Sequence, residues 1–335
     1  MGSTRIKPIQ AVPTNIITGF LGAGKTSTIL HLLKSKPEAE RWAILVNEFG
    51  EIGIDGALLQ GQSVKESGVS IREVPGGCMC CAAGVPMRVA LNQLLSKAHP
   101  DRLLIEPTGL GHPAEVLKVL SAQQSQGTLS VQKVITLVDA RQLSDNRYTE
   151  HETFKQQIAI ADVIVGNKQE LYQSSDYHQL EQYVRKHGLP RAIITTTQQG
   201  AIEMACLEGV SGAANAESAP DLHHHDQHEK PSVIVPADTK GYVQAINRGE
   251  GFASVGWRFT ADQVFCRAKL LAVLRNLPAE RIKGVFNTDE GAFSYNIVGE
   301  SITQAPLQNC PDSRIEVISR KISDEWGRQL LACVI

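Results

Sequence analysis

The sequence predicts an α/β chain: a doubly wound, mostly parallel sheet with helices on its faces, followed by a small C-terminal α+β domain. Three observations carry this. Short apolar runs alternate with helix-period segments from residue 14 to about residue 200. The stretch Gly19-Phe-Leu-Gly-Ala-Gly-Lys-Thr26 fits G-x-x-x-x-G-K-[ST], the loop of a P-loop NTPase domain, and lies between one such run and one such segment. After about residue 209 the composition turns small and polar, and order returns near residue 241. The expected organisation is therefore 1–209 for the P-loop domain, 210–240 for a flexible His-rich linker and 241–335 for the second domain.

Taken in order, Thr14–Thr18 is an apolar run fit for a buried strand, and Ser27–Leu33 has the apolar spacing of a helix. Further strands are expected at Trp42–Val46, Ser70–Val74, Arg102–Ile105, Val134–Val138, Asp162–Val165 and Ala192–Ile194. Helices are expected at Val85–Lys97, Pro113–Leu120 and Asp176–His187. In such a sheet the ligand sits at the carboxyl ends of the strands. Five punctuated segments fall there: Gly19–Thr26, Asn47–Gly56, Pro75–Cys81, Glu106–Gly111 and Asn167–Glu170. In the second domain Ala253–Phe259, Ile282–Phe286, Phe293–Val298 and Arg314–Ile318 read as strands. Asp262–Asn276 reads as a helix, with a last helix near Asp324–Cys333. The expected packing is one helix on a largely antiparallel sheet.

Composition narrows the chemistry. With 42% hydrophobic and 20% charged residues the chain can bury a sizeable core. A net charge of −2 gives no electrostatic footprint for nucleic acid or an anionic membrane. No apolar run approaches the ~18 residues of a membrane span, and the N-terminus lacks a hydrophobic signal core. A cytoplasmic location is expected. Seven cysteines, three of them packed into Cys78-Met-Cys-Cys81, do not form the even, spaced pattern of a disulfide framework. Reduced thiols and a metal are the better reading.

The glycine loop explains its own residue types. Gly19, Gly22, Ala23 and Gly24 let backbone N–H groups curl round a phosphate at the positive end of a helix that opens with Lys25, Thr26 and Ser27. Lys25 neutralises the β- and γ-phosphate oxygens and Thr26 ligates Mg²⁺. Glu106-Pro-Thr-Gly109 follows an apolar strand where such a site needs an acid near Mg²⁺, Glu106, and a glycine N–H that senses the γ-phosphate, Gly109. Glu106 as a helix cap is the plainer alternative. Gly166-Asn-Lys-Gln-Glu170 ends another strand in the position of N-K-x-D: Asn167 braces the loop, Lys168 lies along the base, and Glu170 accepts from guanine N1–H and its exocyclic amine. GTP is the expected nucleotide, although an ordinary polar turn has the same composition.

Cys78, Cys80 and Cys81 are thiols of the kind that select Zn²⁺ or Cu(I) over hard cations. Small buried thiols are the rival reading, but three in four residues are hard to explain as packing. A carboxylate or water completes a tetrahedral site. Asn47-Glu-Phe-Gly-Glu-Ile-Gly-Ile-Asp55 offers Glu48, Glu51 and Asp55 to either metal or to solvent. His223, His224, His225 and His228 form an interrupted His run that serves either as an auxiliary metal segment or as a polar linker.

Together these motifs resemble the CobW family of P-loop GTPases, relatives of the GTPases that deliver nickel to urease and hydrogenase. The resemblance rests on Thr18–Thr26, Asn47–Asp55, the C-x-C-C of Cys78–Cys81, Ile105-Glu-Pro-Thr-Gly109 and Asn167-Lys168, and it covers nearly the whole chain. It implies a metallochaperone with slow GTP turnover that holds Zn²⁺ or Co²⁺ at the cysteines and hands it to a client metalloprotein. The chain departs from the pattern in two places: Glu170 replaces an Asp, and Val46 stands where some members carry a glutamate. Glu51 is the candidate for the fourth ligand. A homo-oligomer is compatible with this reading. Two alternatives stand beside it, a P-loop small-molecule phosphotransferase or ATPase, and a zinc-storage protein with a structural nucleotide.

Overall fold

The computed structural model describes residues 9–46, 68–74, 85–111, 113–215, 242–249, 252–299, 301–308 and 310–335. The chain divides into two compact units, each with its own sheet.

In the first unit the strands are β1 (Val12–Gly19), β2 (Trp42–Val46), β3 (Val69–Glu73), β4 (Arg102–Glu106), β5 (Leu129–Val131), β6 (Ile135–Val138), β7 (Val163–Gly166) and β8 (Ile193–Thr196). They pair in the order β3-β2-β4-β1-β6-β7-β8, with β5 added beside β1, and every pairing is parallel. The central strands β2, β4, β6 and β7 are buried throughout and read as continuous apolar runs, as strands covered on both faces must. At the edge the requirement lapses, and Ile193 of β8 is 50% exposed.

Helix α1 (Lys25–Lys34) joins β1 to β2, α2 (Val85–Ala98) joins β3 to β4, and α3 (Pro113–Ser125) follows β4. Helix α4 (Glu152–Ala159) joins β6 to β7, and α5 (Asp176–His187) joins β7 to β8. The crossover through α1 runs along the strand order in the opposite sense from those through α2 and α3. Because such crossovers are right-handed, α1 lies on the other face, which makes the sheet doubly wound. Leu91, Leu94 and Leu95 of α2 and Val116, Leu117 and Leu120 of α3 share one core with Ala43, Leu45, Leu103 and Ile105. Residues 211–215 stay with this unit: the Gly212 amide donates to Asp162 Oδ1 at 2.7 Å.

The second unit is an antiparallel sheet of β9 (Tyr242–Gly249), β10 (Phe252–Phe259), β11 (Arg281–Thr288), β12 (Gly291–Val298), β13 (Ser301–Pro306) and β14 (Arg314–Ser319), in the order β13-β12-β11-β14-β10-β9. Two helices, α6 (Arg267–Asn276) and α7 (Glu325–Leu331), rather than one, join its core: Leu270, Leu274, Trp326 and Leu330 pack with Val255, Trp257, Phe286 and Val317. Helix α6 starts five residues later than its apolar spacing suggests, at Arg267 rather than Asp262, because Phe265 is held extended by bridges to Thr288 and Val334. Among the described residues no helix is long and apolar enough to cross a membrane.

Candidate functional site

Parallel strands put all their carboxyl ends on one edge, so Gly19, Glu106, Asp139, Asn167 and Thr197, each at or just after a strand end, gather there. The phosphate loop joins β1 to α1 through three left-handed glycines, Gly19 (φ 144°), Gly22 (φ 73°) and Gly24 (φ 108°). Glycine is required at two of them by contact as well as by φ. A Cβ on Gly19 would lie 2.5 Å from the Leu137 carbonyl oxygen, and one on Gly24 would lie 2.2 Å from Asn167 Nδ2. Ala23 is buried within the loop.

Lys25 is 6% exposed, and its ammonium folds back over its own loop, donating to the carbonyls of Gly19 at 2.8 Å and Phe20 at 3.3 Å. The Thr26 hydroxyl donates to Glu106 Oε1 at 3.0 Å, and Glu106 is 2% exposed. A hydroxyl and a carboxylate at this spacing are two hard oxygen donors, the set that suits Mg²⁺ and not a thiophilic ion. Ser27 is exposed at the start of α1. Gly109 presses on the loop, its Cβ position 3.0 Å from the Leu21 amide nitrogen and 3.1 Å from Lys25 Nζ. Its carbonyl accepts from Gln157 Nε2 of α4 at 3.0 Å.

On the opposite side, Asn167 links three loops. Its Nδ2 donates to the Ala23 carbonyl at 2.9 Å, its Oδ1 accepts from the Gly200 amide at 3.0 Å, and its carbonyl accepts from the Tyr172 hydroxyl at 2.7 Å. Lys168 is left-handed (φ 63°), and its ammonium pairs with Asp139 Oδ2 at 3.2 Å. Asp139 is buried and also accepts two hydrogen bonds from Arg141, at 2.9 and 2.7 Å. Burial alone would raise the Asp139 carboxyl, but the Arg141 and Lys168 cations outweigh it and hold the group below the ordinary carboxylate value. Glu170 lies exposed in a single 3₁₀ turn, Gln169–Leu171.

The structure thus brings together Gly19, Gly22, Ala23, Gly24, Lys25, Thr26, Glu106, Gly109, Asn167 and Lys168, with Ser27 and Glu170 at the exposed margin. Glu51, Cys78, Cys80, Cys81, His223, His224, His225 and His228 lie outside the described residues, as do Glu48 and Asp55. Among the described residues no group of three His, Cys, Asp or Glu is arranged to hold a metal. Cys310 and Cys333 are buried, and burial pushes the Cys310 thiol up to about 11, away from the thiolate a metal needs.

Three contributors escape a reading of motifs: Asp139, Gln157 and the loop after β8. The signal for Asp139 was its place directly after an apolar strand. For the β8 loop it was the polar run Thr197-Gln-Gln-Gly200, in which Gln199 (φ 54°) and Gly200 (φ 75°) are both left-handed. Gly200 sits against α1, its Cβ position 2.7 Å from the Thr28 amide nitrogen. Gln157 gave no signal.

Comparison with known proteins agrees with this geometry. The family described as CobW/HypB/UreG, nucleotide-binding domain, matches residues 13–194. The zinc chaperone YeiR of Escherichia coli (strain K12) is 40% identical over 318 residues, covering 94% of each chain. The zinc chaperone CobW of a Sinorhizobium species is 27% identical over 290 residues, covering 73% of this chain and 82% of its own. The zinc-regulated GTPase metalloprotein activator 1 of Schizosaccharomyces pombe (strain 972 / ATCC 24843) is 29% identical over 195 residues, covering 56% of this chain and 46% of its own. The family match runs from the second residue of β1 into β8 and so takes in the phosphate loop, Glu106, Gly109, Asp139, Gln157 and Asn167, stopping just short of the loop after β8: this protein is a member of the CobW/HypB/UreG family.

Proposed function

We propose that this protein is a GTP-hydrolysing metallochaperone that carries Zn²⁺, or Co²⁺, on the thiolates of Cys78, Cys80 and Cys81, with Glu51 as fourth ligand, and releases it to a client metalloprotein in the cytoplasm. The observation that carries the reading is where β2 and β3 end. Val46 and Val74 are joined by a 3.0 Å hydrogen bond on the same sheet edge as the phosphate loop, and the chain leaves from there toward Asn47–Asp55 and toward the cysteines. In this reading the nucleotide-sensing and cargo-bearing segments follow adjacent strand ends. The names of the relatives, two zinc chaperones and a zinc-regulated GTPase metalloprotein activator, support zinc as the cargo.

In this reading Lys25 exchanges the carbonyls of Gly19 and Phe20 for β- and γ-phosphate oxygens. Thr26 and Glu106 hold Mg²⁺, which neutralises charge on the transferring phosphate. Asn167 keeps the phosphate loop and the loop after β8 at fixed separation, Lys168 lies along the base, and Glu170 accepts from guanine. Engagement of the γ-phosphate by the Asn47–Asp55 segment changes metal affinity at the cysteines, and linkage makes the effect reciprocal. The His223–His228 run is an auxiliary metal segment.

The test is a competitive titration of Zn²⁺ and Co²⁺ into reduced protein, without nucleotide and with Mg²⁺ and a non-hydrolysable GTP analogue, following thiolate-to-cobalt absorbance. One thiolate site whose affinity shifts with nucleotide, and which disappears in the Cys78→Ser, Cys80→Ser, Cys81→Ser variant, is expected. Several ions per chain blind to nucleotide would indicate storage, and absence of a thiolate band would move phosphotransferase chemistry to the front.

A further inference from the structure

We infer that Gln157 of α4 is a positioning residue that fixes Gly109 for recognition of the terminal phosphate, and thereby sets the preference of this site for a nucleoside triphosphate over a diphosphate. The inference rests on the proposed role of Gly109 as the backbone group that senses the γ-phosphate.

Gln157 is a long polar side chain with 0% exposure, a placement that costs free energy unless its amide is used. One half of it is used. Nε2 donates to the Gly109 carbonyl at 3.0 Å, a bond between residues 48 positions apart. The other half is not, for Oε1 is buried with no hydrogen-bond partner among the described residues. An apolar side chain of similar volume would fill the same space without that penalty, so filling space does not account for the residue. Its one side-chain bond lands on Gly109, the glycine whose Cβ position faces both Lys25 Nζ and the Leu21 amide.

Clamping that carbonyl matters because glycine has two unrestrained torsions. A buried donor on the Gly109 oxygen restricts ψ and removes conformations that would otherwise be lost on binding phosphate. The clamp is itself rigid: the Gln157 backbone carbonyl accepts from Thr136 Oγ1 of β6 at 2.8 Å. The same helix also backs the phosphate loop. Phe154, three residues before Gln157 on one helical face, meets Phe20 edge-on at 6.2 Å, and His151, at the N-cap, meets it at 4.8 Å. Helix α4 thus supports both walls between which a γ-phosphate would lie, and Gln157 is its contact with the Gly109 wall. A diphosphate reaches only the phosphate loop, so it does not depend on this clamp.

The test uses the full-length protein and two fluorescent probes, mant-GDP and a non-hydrolysable mant-GTP analogue, with the wild type, Gln157→Leu and Gln157→Met. Expected is a loss of about tenfold in affinity for the triphosphate analogue, the equivalent of one hydrogen bond, with mant-GDP affinity held within about twofold. A merely structural role would weaken both probes by the same factor; that result, or no change in either, overturns the inference. Chemical denaturation of each variant separates loss of fold from loss of the clamp, and the Met variant replaces the Leu variant should the latter not fold. A wild-type protein that binds neither probe would overturn the GTPase reading itself, which distinguishes that failure from failure of the clamp.

Discussion

The Asn167 side-chain amide donates to the Ala23 carbonyl at 2.9 Å, joining the end of β7 to the middle of the phosphate loop at a position only 2% exposed. With its oxygen engaged by the Gly200 amide, the side chain is a strut between the two loops that flank α1. Asn167→Ala leaves both backbone groups buried and unpaired, at about 1–3 kcal/mol each before relaxation. The expected outcome is a lower unfolding midpoint and at least about tenfold weaker binding of both GDP and GTP, since the whole loop loosens. Urea denaturation with nucleotide titration measures both. Unchanged affinity would show that the loop holds its shape unaided.

Gly24→Ala should act through the same strut. The position has φ 108°, costly for any L side chain, and the new Cβ would meet Asn167 Nδ2 at 2.2 Å. Gly291→Ala is the matched control, with φ 112° and nothing within 4 Å of its Cβ position. Backbone strain of about 1–3 kcal/mol is common to both, so the excess loss at Gly24 reports the collision. Combined with Asn167→Ala the Gly24 penalty should shrink, because the collision partner has gone. Strict additivity of the two changes would refute this coupling.

What a reading of residues can reach is visible in these two sites. Gly19 to Thr26 was legible because strand, glycine loop and helix are adjacent in sequence and each has its own period. The β1 and α1 boundaries follow from that. Pairing across the fold was not legible: Asp139 meets Lys168 because parallel crossovers return each strand end to one edge, and Gln157 meets Gly109 because α4 packs against β6. In the second unit β13 escaped notice because it is an edge strand with a mostly exposed, polar sequence and therefore no apolar alternation. Helical periodicity overextends α6 toward its N-terminus because the bridge-forming Phe265 has the hydrophobicity that this periodicity counts but an extended backbone.

Asp139→Asn tests the anchor of Lys168. In the folded state the carboxyl lies below the ordinary value of 3.8: burial opposes ionisation, but Arg141 and Lys168 together favour it more strongly. A depressed folded value means the ionised pair stabilises the fold at pH above the unfolded value, and that contribution is lost as pH falls through the folded one. Wild type should therefore be more stable than Asp139→Asn at pH 7, with the gap closing on acidification below 3.8. Denaturant midpoints of the two proteins across that range give the difference directly. A gap independent of pH would mean that Asp139 contributes through packing alone.

Glu106→Gln separates charge from shape at the proposed Mg²⁺ site. The glutamine oxygen can still accept from Thr26 Oγ1, which now lies 3.0 Å from Glu106 Oε1, so the hydrogen bond and the packing of this 2%-exposed residue are retained. What disappears is the negative charge that favours a divalent cation beside the phosphate loop. Nucleotide affinity measured in EDTA should therefore be nearly unchanged or slightly raised, since an anion has been removed from the neighbourhood of the phosphates. The gain in affinity expected of wild type on adding Mg²⁺ should be largely lost, and single-turnover GTP hydrolysis should fall by about 10²-fold or more. Thr26→Ala should produce the same pattern with a smaller loss, because it deletes one neutral oxygen donor and leaves the carboxylate. If Glu106→Gln instead weakens nucleotide binding equally with and without Mg²⁺, the residue serves the loop's structure, and the cation is held by other groups.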